Sequence, residues 1–127
     1  MPPRSAKLLE DIRQSGRYIL NDVAGLIFTA FLQNRLVRQA VERNFEIVGE
    51  AMRRLADADL ETAEQIEGFR DAIGLRNVII HNYDRVDPAA LWEIIDTTLP
   101  ALLDDVEALL AEFDLDDLDG EPFGTAG

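Results

Sequence analysis

Residues 40–55 read AVERNFEIVGEAMRRL, and their spacing decides what kind of fold the chain can adopt. Val41, Phe45, Val48, Met52 and Leu55 recur at steps of four or three, which on a helix of 3.6 residues per turn aligns them in one stripe. Val37 extends the stripe toward the N-terminus, and Leu36, Ala40, Ile47 and Ala51 widen it into an apolar face. A face that broad can contact more than one partner helix. Gly49 interrupts it at a cost of about 1 kcal/mol relative to alanine in an exposed helix. Either a close helix crossing or tolerated weakness accounts for a glycine there.

Three more helical segments can be read outward from this one. Leu8, Ile12, Ile19 and Val23 fall at helical spacing, with Ser15 and Gly16 where the intervening apolar contact would sit and Ser5 as a candidate cap. A third helix is predicted from Gln65 through Ile80, with Ile66, Phe69, Ile73 and Ile80 among its apolar residues. The run between Leu55 and Gln65 reads equally well as helix or loop. The last helix has the clearest start, because Asp87 is a good cap and Pro88 suits the first helical position. From there Leu91, Ile95, Thr98, Leu102, Val106, Leu109 and Phe113 trace one face, with Pro100 inside the run expected to kink it.

No strand-like alternation of useful length and no internal repeat occurs. The expected fold is therefore all-α, a four-to-five-helix up-and-down bundle. Residues 1–113 form the expected domain, and residues 114–127, rich in Asp and Gly, read as an acidic, disordered tail. Asp114 and Asp116 alternate as calcium ligands do, but Leu118 occupies the third ligand position and no glutamate closes the loop, so a calcium site is rejected.

Composition narrows the function. The 127 residues suit one domain, 47% of them hydrophobic and 29% charged, as in an ordinary globular protein. No apolar run approaches the roughly 20 residues of a membrane span, and the N-terminal residues lack the pattern of a signal peptide, so a cytoplasmic location is expected. Without cysteine there is no disulfide, thiolate site or cysteine nucleophile, and one histidine cannot supply a histidine-rich zinc site. The net charge of −13 argues against general nucleic-acid binding, yet it is unevenly distributed. Residues 1–85 hold all 12 bases against 13 acids, whereas residues 86–127 hold 12 acids and no base.

The single histidine sits in RNVIIHNYD, residues 76–84. On a helix, Asn77 and His81 are about 40° apart, close enough for the amide to hold the imidazole tautomer, and Arg76 and Tyr83 are about 20° apart. Arg76 and His81 are separated by about 140°. Bringing them together requires a long arginine curling back, a helix break near His81, or a second subunit. These residue types suit phosphodiester cleavage in RNA without a metal. Histidine moves the proton, arginine stabilises the crowded phosphate and asparagine orients either one. A histidine followed by asparagine at a helix end is equally a cap or a surface group, so spacing alone leaves a helical bundle of open function.

The segment resembles the R-x-x-x-x-H-x-Y signature of the HepT-like toxins, a prokaryotic branch of the HEPN superfamily. Arg76, His81 and Tyr83 match it, with Asn77 at the polar position after the arginine. AVERNFEIVGEAMRRL resembles the family's second helix and PAALWEIIDTTLPALL its last, so the likeness covers about residues 6–113. This resemblance implies a homodimeric HEPN fold and a metal-independent ribonuclease toxin with Arg76 and His81 as the catalytic pair, supported by Asn77. It also implies an antitoxin partner, a minimal nucleotidyltransferase of the MntA type, that uses ATP and magnesium to attach AMP to Tyr83. This chain itself would need no cofactor or metal. An added phosphate on Tyr83 would pair with Arg76 and occupy the RNA phosphate site. Arg70 and Arg85 are candidate RNA-phosphate contacts. The rival reading is a non-catalytic helical module on the same scaffold that binds a nucleotide or docks a partner.

Overall fold

The computed structural model describes residues 2–81 and 86–120, with side chains described as far as Phe113. Among these residues there are helices and no strands, in the order α1 (Pro3–Val23), α2 (Phe28–Gln33), α3 (Arg35–Ala58), α4 (Leu60–Ala63), α5 (Phe69–His81), α6 (Pro88–Glu93) and α7 (Leu99–Gly120). A five-residue π-helical stretch, Ile94–Thr98, joins α6 to α7. The four expected segments correspond to α1, α3, α5 and the α6–α7 unit, while α2 and α4 are short additions. No helix among the described residues is long and apolar enough to cross a membrane.

The centre of the bundle is α3. It packs against α1 on one side and α5 on the other, while α7 covers α1. This is why its apolar face is so broad. Val41, Val48, Met52 and Leu55 are almost wholly buried, together with Leu9, Ile12 and Ile19 of α1 and Leu99 and Val106 of α7. Each such side chain contributes about 1.5–3 kcal/mol through removal from water. Gly16, buried on α1, lies under the Leu103 side chain of α7. Phe31 of α2 is fully buried, with its ring centroid 5.0 Å from that of Trp92, and Phe28 lies on the other approach at 6.0 Å. That aromatic cluster ties the short α2 to α6.

Several helix ends depart from the sequence reading. Helix α1 starts at Pro3 with Pro2 as its N-cap, so Ser5 lies inside the first turn and is not the cap. Its buried hydroxyl instead donates to Asp59 Oδ2 at 2.8 Å. Asp59 ends α3 and caps α4, accepting from the Thr62 backbone N–H at 3.3 Å and from the Thr62 hydroxyl at 2.6 Å. Helix α5 begins at Phe69 rather than Gln65, because the chain first turns through Gly68 at φ 79°, a conformation that favours glycine. Ile66 is buried from within that turn, and Ile79, not Ile80, faces the core near the end of α5.

The last unit follows expectation more closely. Asp87 caps α6 by accepting from the Ala89 N–H at 3.0 Å, with Pro88 in the first turn. Where a kink is expected at Pro100, the helix shows a π-helical stretch immediately before it. Proline removes the N–H that would pair with the Asp96 carbonyl, and the wider register accommodates the loss. Helix α7 continues past Phe113 to Gly120, since no glycine or proline interrupts the sequence between them.

The Ser5–Asp59–Thr62 network fastens the start of α1 to the α3–α4 junction. It holds the Asp59 carboxyl below the ordinary range, chiefly through the Thr62 hydroxyl, against the opposing effect of burial, with Ser5 adding a further bond. A depressed carboxyl pKa contributes stability above its unfolded value, and that contribution is lost as pH falls through the folded value. Asp59→Ala is expected to cost about 1–2 kcal/mol at neutral pH. In urea unfolding, its difference from wild type should shrink as the solution is acidified.

Candidate functional site

The site is organised by the approach of α5 to α3. A Cβ added at Gly49 would overlap Arg76 Cβ and lie 2.7 Å from the Ala72 carbonyl oxygen. One of those atoms belongs to backbone, so the two helices can be this close only where α3 presents a glycine. The close-crossing account of Gly49 is therefore correct. It sets the arginine stem directly against α3.

From that stem the guanidinium reaches two partners. Arg76 Nη2 donates to Glu50 Oε2 at 2.8 Å, and Nη1 donates to Asn77 Oδ1 at 2.9 Å. Its side chain is 21% exposed. Arg76 Nε is buried and has no partner among the described residues. Glu50 is the convergence point, because its other oxygen also accepts from Arg53 at 2.5 Å and from Arg54 at 3.3 Å. These bonds, Arg53 foremost, hold the Glu50 carboxyl below the ordinary carboxylate range, with part of the effect cancelled by burial. Glu50 is thus ionised and fixes the arginine in one orientation. The sequence reading missed it; the only signal was the glycine beside it.

His81 occupies a different face. It is the last residue of α5, exposed, and has no hydrogen-bond partner among the described residues. Asn77 does not hold the imidazole as expected, since its side-chain oxygen accepts from Arg76. Helix α5 is unbroken through His81, and the arginine turns toward Glu50 instead of curling back. Arg76 and His81 therefore stand about 7.5 Å apart along the axis and point in directions about 140° apart. Within one chain they do not form a contact pair.

Asn77 and His81 belong to a stripe on α5 that continues through Gly74 to Arg70, all four residues exposed. Space around a Cβ at Gly74 is open to 4 Å, and Val78 and Ile80 flank the stripe at 42% and 38% exposure. Arg70 is engaged with its neighbour, its guanidinium 4.7 Å from the Phe69 ring centroid. It lies a full helix face away from Arg76. Tyr83 and Arg85, the other two candidates, lie outside the described residues.

On the Arg76 side, a cleft of about 250 Å³ opens between α1, α3 and α5. Arg43, Ile47 and Arg54 of α3 and Leu8 of α1 line it together with Glu50 and Arg76.

The family model described as "Ribonuclease HepT-like" matches residues 8–109, a span that contains α5 and every side chain of this site. The chain belongs to the HepT-like ribonuclease family. Among its relatives, "Putative RNase MJ1380" of Methanocaldococcus jannaschii is 32% identical over 108 residues, covering 84% of this chain and 98% of the relative. "Probable ribonuclease HepT" of Thermococcus cleftensis is 30% identical over 101 residues, covering 80% and 91%. "Putative RNase TTE0752" of Caldanaerobacter subterraneus is 29% identical over 102 residues. No solved structure matches the chain significantly. The all-α HEPN architecture inferred from the sequence is thus the fold of this HepT-like chain.

The Gly49 crossing yields a test whose sign is decisive. In a helix free of neighbours, Gly49→Ala would gain up to about 1 kcal/mol from helix propensity. At this crossing the added methyl group overpacks against α5, and a net loss of about 1–3 kcal/mol is expected. Chemical denaturation of the purified variant measures the difference; a gain in stability would show that α5 does not lie this close to α3.

Proposed function

We propose that this HepT-like protein is a metal-independent endoribonuclease acting as the toxin of a toxin–antitoxin pair. The observation that carries the reading is the fixed guanidinium of Arg76, clamped by Glu50 and Asn77 on a HepT-like scaffold. Such a group suits the developing charge on a phosphodiester undergoing cleavage, and because its orientation is preset, little reorganisation is needed at the moment of reaction. His81 is the proton carrier. The 2′-hydroxyl loses its proton to an imidazole as its oxygen bonds to phosphorus, and the 5′-oxygen leaves with a proton from a second imidazole. The products are a 2′,3′-cyclic phosphate and a free 5′-hydroxyl.

Each chain carries only one histidine, and its Arg76 and His81 face apart. Two chains related by a two-fold axis, with their exposed α5 stripes facing, would bring two imidazoles to one cleft, with each Arg76 guanidinium at its edge through the bond to Asn77 on the stripe. Exposed Val78 and Ile80 beside that stripe suit burial at such an interface. Asn77 supports Arg76, and Arg70 and Arg85 add RNA-phosphate contacts at the edges. Given the charge of −13, affinity for RNA depends on these local arginines and weakens steeply with salt.

Neutralisation is assigned to a cognate nucleotidyltransferase antitoxin of the MntA type, which transfers AMP from ATP with magnesium to Tyr83. The added phosphate would compete for Arg76. Protein and partner act in the cytoplasm.

His81→Ala and Arg76→Ala should each lower RNA cleavage by about 10²–10⁴-fold and relieve growth inhibition while the helical fold persists. Toxicity that survives His81→Ala would favour the non-catalytic module instead. Intact-mass measurement after incubation with the nucleotidyltransferase, ATP and magnesium should show AMP-sized additions that disappear in Tyr83→Phe.

A further inference from the structure

The cleft beside Arg76 is lined by none of the residues of the exposed α5 stripe, and of its lining only Arg76 and its partner Glu50 serve the cleavage chemistry. Its lining has two characters. Leu8, Ile47 and Ala51 form an apolar floor along α1 and α3, and Arg43, Arg54 and Arg76 stand around it. The acids of the cleft are already engaged: Glu46 pairs with Arg43 at 3.2 Å, and Asp11 with Lys7 at 2.9 Å.

Glu50 alone serves Arg53, Arg54 and Arg76, and Arg53 has a second acid in Asp57 at 2.9 Å. Arg54 and Arg76 therefore share one carboxylate. The lining itself balances Arg43, Arg54 and Arg76 against Asp11, Glu46 and Glu50, and with the paired Lys7, Arg53 and Asp57 the cluster holds five cations and four acids on a chain that is strongly negative overall. At about 250 Å³ it falls just short of the roughly 300–1,000 Å³ typical of drug-sized sites, which suits one planar base better than a larger ligand.

We infer that this cleft is a nucleotide subsite, which seats the base of the RNA residue next to the scissile phosphate on Leu8, Ile47 and Ala51, with the following phosphate on Arg43 and Arg54. The inference rests on the ribonuclease reading, because Arg76 then joins the two places: it holds the scissile phosphate on one side and forms the wall of the subsite on the other. Arg43 and Arg54 are 66% and 57% exposed, so a phosphate reaches them without rearranging the core. One base bound between aliphatic side chains would be read by shape rather than by edge hydrogen bonds, making the subsite tolerant of sequence.

The test is methyl NMR of the wild-type protein titrated with a short 2′-O-methyl oligoribonucleotide, which lacks the attacking hydroxyl. Saturable shifts at the methyl groups of Leu8, Ile47 and Ala51 are expected, together with at least a tenfold rise in Kd for Arg43→Glu and for Ile47→Trp, which fills the cleft. Shifts confined to Val78 and Ile80, or methyl groups in the cleft that respond only to the nucleotidyltransferase partner, would overturn the subsite. Cleavage of unmodified RNA is assayed separately. Cleavage without a response in the cleft refutes the subsite alone, and a saturable response without cleavage refutes the enzyme and with it the placement beside a scissile phosphate, leaving only a nucleotide-binding cleft.

Discussion

Arg76 reaches Glu50 across a helix crossing that only a glycine permits, and the candidate site depends on that contact. Gly49 lets α5 settle against α3; the settled helix brings the arginine stem to α3; and Glu50, one residue further along α3, receives the guanidinium at 2.8 Å. The rest of the bundle supports this arrangement. Helix α3 is held between α1 and α5 by its broad apolar face, and the turn at Gly68 sets where α5 begins. A displacement of α5 by even one methyl group would move the guanidinium relative to its carboxylate.

The same contact explains how an acidic protein keeps useful positive charge. Surface arginines paired along their own helices contribute little, in the roughly neutral way of most surface ion pairs. Around Glu50, one carboxylate instead gathers three guanidinium groups from two helices. Mutual repulsion among the arginines is relieved by the shared acid without cancelling their charge. A phosphate approaching this cluster meets groups already ordered, so less conformational entropy is lost on binding.

Much of the fold was legible from the sequence because it depends on local periodicity. The stripes of α1, α3 and α7, the Asp87 cap and the irregularity at Pro100 are each written within a few residues. Where the reading erred, the cause was tertiary. Ser5 was drawn into the first turn by a hydroxyl bond to Asp59, 54 residues away, and the start of α5 was moved by a turn that only Gly68 can make. The site was legible in type but not in partnership. Helical wheel angles put Asn77 beside His81, yet they say nothing of a long arginine folding back to its own neighbour, and no single-helix reading could pair Arg76 with Glu50. Gly49 was the visible trace of that pairing.

The measurement that tests this account most directly compares the RNA cleavage rate of wild type with those of Glu50→Ala and Glu50→Gln, with unfolding midpoints recorded for all three. If Glu50 holds Arg76 in its working orientation, Glu50→Ala lowers kcat by about tenfold or more in a protein that remains folded, because a misaligned group loses most of its effect. Glu50→Gln, which keeps an oxygen for the arginine to donate to, retains most of the activity. A folded Glu50→Ala protein that cleaves RNA as fast as wild type, or faster, would contradict the account.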